Sequence, residues 1–139
     1  MKRRRRPDDE GSVLILTLGF AVLALAVVLV CVDATSLYLA QKRLDAVADA
    51  AALAAADGFT FEVVGDAAVA TLTRDGIETQ ARAIVDEVGG DVALVAADTP
   101  DGVSARVTVA GAWRPPVLTI LVPDGIALEA TATSRTALR

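Results

Sequence analysis

Residues 12–32 read SVLILTLGFAVLALAVVLVCV, twenty-one positions without a charge, preceded by Lys2-Arg3-Arg4-Arg5-Arg6 and followed by Asp33. Wound as a helix, the run rises about 32 Å, enough to cross the roughly 30 Å apolar core of a bilayer. Leu14, Ile15, Leu16, Phe20 and the stretch from Val27 to Val32 would present apolar surface on every side of that helix. The reading is a transmembrane helix at 12–32.

Charge on either side of the run supplies its orientation. Residues 1–11 carry five basic and three acidic groups, a net of +2, whereas residues 33–139 carry eight basic and fifteen acidic groups, a net of −7. Basic residues beside a membrane helix favour the cytoplasmic side, so 1–11 is expected to be a cytoplasmic basic tail and the C-terminal part to lie outside. An acidic outer domain argues against nucleic acid as a partner. A cleavable signal peptide has an apolar stretch of roughly 7–15 residues followed by a small-x-small site. This run is longer, and Val32-Asp33-Ala34 matches such a site poorly. The run is therefore read as a retained single-pass anchor in the cell membrane. Cys31 is the only cysteine, which rules out an intrachain disulfide, and Val30 before it is not the small residue a lipid-attachment site wants.

The helical signal continues past the membrane. No Gly or Pro occurs from Phe20 to Asp57, and the stretch is rich in Ala, the strongest helix former. Residues 33–57 are thus expected to extend the same helix, ending at Asp57-Gly58. Leu37, Gln41, Leu44, Ala48, Ala51 and Ala55 recur at steps of three and four and share one face. So many alanines on a stripe imply close approach of another backbone, either the chain's own C-terminal domain or a neighbouring subunit.

Residues 58–139 read as one small α/β domain. Phe59–Val64 fits a short strand or a loop pinning two aromatics, and Ala67–Leu72 fits a helical turn. A second helix follows, with Asp75 and Glu78 as a capping box, an apolar face of Ile77, Ala81, Ile84, Val85 and Val88, and Gly89-Gly90 as its stop. The period then changes to two. Val92–Ala96 is a short apolar run, and Val103, Ala105, Val107 and Val109 alternate with polar residues. Trp113-Arg114-Pro115-Pro116 breaks the sheet, and Val117–Val122 suits a short helix or a covering segment. Ile126, Leu128, Ala130 and Ala132 mark a final strand. The expected fold class is α+β: a long N-terminal membrane helix continuing outside, packed with a second helix and a small antiparallel sheet.

Chemistry-bearing residues are sparse. The chain has no histidine and no cysteine cluster, which removes the commonest general base and metal ligand. A Ser–Lys pair on the outer side would have to use Lys42. Asp98, Asp101 and Asp124 sit in expected turns without calcium-loop spacing. No catalytic activity, cofactor, metal or small-molecule substrate is expected. Tyr38 suits the membrane interface, and Trp113 suits a core-capping aromatic better than a recognition element.

Gly11-Ser12, the apolar run, Asp33, Leu37-Tyr38-Leu39-Ala40, Arg43-Leu44 and Ala48-Asp49-Ala50-Ala51-Ala52-Leu53-Ala54-Ala55-Ala56 resemble, in order, the N-terminal segment of TadE/TadG-like proteins. These are pilin-like membrane proteins of the bacterial Flp (tight adherence) pilus and secretion machinery. The resemblance implies a pseudopilin or minor-pilin role, with other pilin-like subunits or Tad secretion components as partners. On this reading Leu37, Leu44, Ala48, Ala51 and Ala55 form the helix interaction face, and Asp33 and Asp49 act as polar registers. A cut at Gly11-Ser12 would put Leu16 at the fifth mature position, where pilin precursors carry Glu, so a retained, unprocessed anchor is implied. The alternative is a membrane-anchored extracytoplasmic binding or signalling module unrelated to pili.

Overall fold

An unbroken Ala- and Leu-rich stretch is free to form one continuous helix, and it does: α1 runs Asp8–Ala56, 49 residues, about 73 Å long. It starts a turn before the uncharged run, taking in the acidic residues ahead of Gly11. The computed structural model describes residues 8–65, 67–119 and 122–135, with side chains from 11–61, 65, 71–119 and 122–135. The basic run Lys2–Arg6 lies outside the described residues.

Two strands follow, β1 (Phe59–Val64) and β2 (Ala67–Leu72), paired antiparallel from Phe59↔Leu72 to Val64↔Ala67. The expectation of a helical turn at Ala67–Leu72 is therefore corrected to a hairpin strand. Gly65 carries the turn at φ 69°, a conformation that disfavours side chains. Phe59 and Phe61, two apart on one strand face, meet edge-on at 5.1 Å between ring centres.

The second helix, α2, spans Arg74–Val88. Its N-cap is Thr73, whose hydroxyl accepts from the Gly76 N–H at 3.3 Å. The expected capping box at Asp75 and Glu78 is thus corrected to a single N-cap bond two residues earlier, with Gly76 at the third helical position, and Asp75 lies inside the first turn, where a carboxylate favours the helix dipole. Gly89, at φ 63°, closes the helix by donating to the Val85 carbonyl at 3.1 Å. Ile77, Ala81 and Val85 are buried, Ile84 is half-buried and Val88 is exposed.

Strands β3 (Ala93–Asp98), β4 (Ser104–Trp113) and β5 (Ile126–Arg135) form an antiparallel sheet in that order. The β4–β5 register runs without a break from Ser104↔Arg135 to Trp113↔Ile126. A bulge between Leu94 and Ala96 leaves Val95 outside the β3 ladder. Trp113 is the last residue of β4, so the sheet breaks after it, at Arg114-Pro115. Asp98 ends β3 instead of sitting in a turn, and one of its carboxylate oxygens is buried with no hydrogen-bond partner among the described residues.

The outer half of α1 is the core of this domain. Leu44, Ala48, Ala51, Ala52, Ala55 and Ala56 are buried together with Leu72, Ile77, Ala81, Val85, Ala105, Val107, Val109, Ala130 and Ala132. Alternation along β4 turns Ala105, Val107 and Val109 toward the helix. Gly111 faces the helix as well, and a Cβ there would meet the Leu44 side chain in ordinary van der Waals contact at 3.4 Å. Alanine predominates in this core, so helix and sheet backbones approach closely.

Candidate functional site

The candidate site is α1 itself, which presents three distinct surfaces. The first is the helix at 12–32. It is long and apolar enough to cross a membrane, and the domain leaves it bare, with Leu14 71% and Ile15 74% exposed. Leu29 is the one residue of 12–32 that is partly covered.

The second surface faces the chain's own domain. It holds four of the five residues of the expected interaction face: Leu44, Ala48, Ala51 and Ala55 lie beneath β4, β5 and α2, with at most 4% exposure. Leu37 is half-buried at the margin. Three polar side chains on the same side tie the sheet to the helix. Asp33 is buried, and its Oδ1 accepts from the Val117 backbone N–H at 3.1 Å. The Ser36 hydroxyl accepts from the indole N–H of Trp113 at 3.1 Å. The Gln41 amide donates to the Glu129 carbonyl at 3.1 Å and to the Asp45 carboxylate at 3.0 Å. A buried indole needs an acceptor, and Trp113 is 8% exposed, so a hydroxyl on the facing helix was the signal that could have singled out Ser36.

Asp33 thus holds the segment after β4 against the helix. Its other oxygen, Oδ2, is buried without a hydrogen-bond partner among the described residues. Asp33→Ala leaves the Val117 N–H without its acceptor and is expected to cost about 1–3 kcal/mol, with Asp33→Asn recovering most of the loss through its amide oxygen. Thermal unfolding in detergent micelles, followed by the fluorescence of Trp113, measures the difference. Equal midpoints for wild type and Asp33→Ala would refute the pinning role.

The third surface is the opposite side of the outer helix. Val32, Leu39, Ala46, Ala50 and Leu53 fall along it at helical spacing and are exposed, Leu53 at 63%, with Asp49 exposed beside them. Lys42 flanks the stripe. Its ammonium donates to Asp45 Oδ2 at 3.0 Å and lies 5.9 Å from the Tyr38 ring centre. That hydrogen bond raises the Lys42 ammonium above its ordinary value and, with help from Gln41, lowers the Asp45 carboxyl. Both ends are solvated, so the pair adds little to stability. Where this surface meets the foot of the sheet, Val28, Val32, Ser36, Leu39, Arg43 and Trp113 line an open apolar groove of about 670 Å³.

The carboxylates at the far end of the sheet serve the turn. Asp101 accepts from the Ser104 hydroxyl at 2.9 Å and from the Ser104 and Val103 N–H groups at 2.6 and 3.1 Å. The Ser104 hydroxyl is the main cause holding the Asp101 carboxyl below the usual range. Among the described residues no group of His, Cys, Asp and Glu is placed to hold a metal ion.

Comparison with known families agrees with this division of the chain. Residues 11–58 match the family described as "Putative Flp pilus-assembly TadE/G-like". No curated protein and no solved structure matches the chain. The matched segment covers all but the first three residues of α1 and ends at Gly58, where the helix meets the start of α2. The helix that is long and apolar enough to cross a membrane and that organises the domain is thus the part of the chain that is similar to the TadE/G-like family of Flp pilus assembly.

Proposed function

We propose that this chain is a pilin-like component, a pseudopilin or minor pilin, of a Tad-type pilus or secretion system. It is held in the cell membrane with its N-terminus in the cytoplasm and its α/β domain outside. The observation that carries this reading is the continuity of α1: one helix is bare through the apolar run and, beyond it, keeps an exposed apolar stripe at Val32, Leu39, Ala46, Ala50 and Leu53. A stripe with small residues at its centre suits close packing against a second helix. Lateral contact with pilin-like subunits or Tad secretion components runs along this stripe, with Asp49 as its polar register, while Leu37, in line with Leu44 on the domain-facing side, lies outside it. Leu44, Ala48, Ala51 and Ala55 support that contact indirectly, by fixing the domain on the other side of the same helix.

The test is the double variant Ala46→Lys with Leu53→Lys, expressed in the cells that make the protein. Both positions are exposed, so the unfolding midpoint is expected to stay within about 0.5 kcal/mol of wild type. Recovery of Tad components with the tagged protein is expected to fall about tenfold or more, equivalent to roughly 1.4 kcal/mol. Unchanged recovery together with unchanged pilus assembly would instead favour an anchored binding module unrelated to pili.

A further inference from the structure

The segment between β4 and β5 lies at an unexpected level. Val117 donates its N–H to Asp33, the first residue beyond the uncharged run, and side chains on a helix lean toward its N-terminus, here toward the membrane. Leu29 is one turn nearer the membrane on the face that Asp33 shares, and it alone among residues 12–32 is partly covered. One turn is about 5.4 Å. If the run spans the bilayer, the foot of the domain reaches into the apolar region.

The segment is suited to that level. Residues 115–123 carry no charge, in a chain whose residues are 22% charged. Pro116 is exposed, Val117 and Leu118 are half-buried, and Val122 is half-buried at the far end. Backbone polar groups near lipid must be satisfied within the chain. Here Pro115, Pro116 and Pro123 have no N–H to satisfy, Val117 donates to Asp33, and Val122 donates to the Leu118 carbonyl at 3.1 Å. The Thr119 hydroxyl turns back onto the Pro115 carbonyl at 2.6 Å. Trp113 and the exposed Arg114 stand at the segment's entrance, residue types that settle at the headgroup level.

We propose that Pro116, Val117, Leu118 and Val122 seat in the bilayer interface on the domain's side of the membrane, as a second lipid contact beside the spanning helix. The occupant of this apolar surface is lipid: the uncharged segment is tied to Asp33, directly after the bare run that ends at Val32, one helical turn from Leu29 inside the span. The contact fixes the height of the domain on the membrane. It rests on the membrane-spanning reading of 12–32 and is independent of any pilus role.

The experiment uses the full chain with Cys31→Ser, reconstituted at one copy per nanodisc of phosphatidylcholine and phosphatidylglycerol. Single cysteines at Leu118, Pro116, Val22 and Pro100 carry an environment-sensitive fluorophore. Pro100 lies in the turn before β4, about 30 Å from the β4 end that meets the helix at Trp113. The Leu118 and Pro116 probes are expected to emit to the blue of the Pro100 probe. Quenching by lipids brominated high on the acyl chain should be several-fold stronger for them than for Pro100, while acrylamide should quench them several-fold less. Pro116 is exposed, so its probe reports even if labelling at Leu118 disturbs the fold. Probes at Leu118 and Pro116 that behave like Pro100, with Val22 dark to acrylamide and quenched by lipid, would overturn the loop contact and leave the span intact. A water-like Val22 probe would remove the span and the loop contact together. A blue shift that appears only with two or more copies per disc would assign the surface to a neighbouring chain and overturn the lipid contact.

Discussion

Ala51→Leu is expected to destabilise the C-terminal domain severely while the bare apolar helix at 12–32 is unaffected. Ala51 has no exposed surface, and it sits between Ala48 and Ala55, which have none either, where α1 lies beneath the sheet and α2. Three added carbons have no space unless the backbones part, and overpacking of this kind costs about 1–3 kcal/mol, occasionally more. The upper end applies, because the alanines around the site have no rotamers with which to yield. Each kcal/mol lowers the midpoint of a domain this size by about 4–8 °C, so a fall of roughly 10–20 °C is expected. The neighbouring Ala50→Leu supplies the contrast, because Ala50 is exposed and leucine is nearly as good a helix former. Its midpoint is expected to match wild type, although it enlarges the proposed contact stripe. Similar midpoints for the two variants, measured by circular dichroism in micelles, would mean that the helix is not the domain's core.

Gly76→Val is expected to be comparably severe for a different reason. The end of α1 and the beginning of α2 touch through two glycines: a Cβ on Gly58 would lie 2.8 Å from the Gly76 carbonyl carbon and oxygen. In the other direction, a Cβ on Gly76 would run into the Gly58 carbonyl oxygen and come within 2.9 Å of the Thr73 hydroxyl. A branched side chain at 76 therefore pushes the two helices apart and displaces the N-cap of α2 at once. Loss of the cap alone costs about 1 kcal/mol, and the steric term adds about 1–3 kcal/mol. The variant should lose about 3 kcal/mol in chemical unfolding, with Gly76→Ala intermediate. A Gly76→Val domain as stable as wild type would show that the helix ends do not need this closeness.

Much of this fold was legible because its signals are local. The uncharged run, the absence of Gly and Pro through Asp57, the apolar face of α2 and the alternation along β4 each speak through neighbouring residues. The hairpin strand β2 was obscured because Ala67-Ala68-Val69-Ala70 carries helix-forming alanines, whereas pairing with β1 decides its state. The cap of α2 was misplaced because Asp75 and Glu78 satisfy the pattern while Thr73 supplies the bond. The interface was the least readable part. Asp33 and Val117 are 84 residues apart and Ser36 and Trp113 are 77 apart, so neither pair leaves a local trace. A stripe of alanines describes close approach equally well for a sheet of the same chain and for a helix of another. Only the fold shows that Ala48, Ala51 and Ala55 spend that closeness inside the chain.

One helix serves as both root and core, and this denies the domain a swivel. A head joined to its anchor by a loose tether samples every azimuth. Here α1 runs through both parts without a Gly or Pro after Gly19, and its outer turns are clamped by sheet and second helix alike. Turning the anchor about its long axis must carry the sheet around with it, like a key and its bit. Whatever orients the apolar shaft about its axis therefore also sets which way the sheet faces.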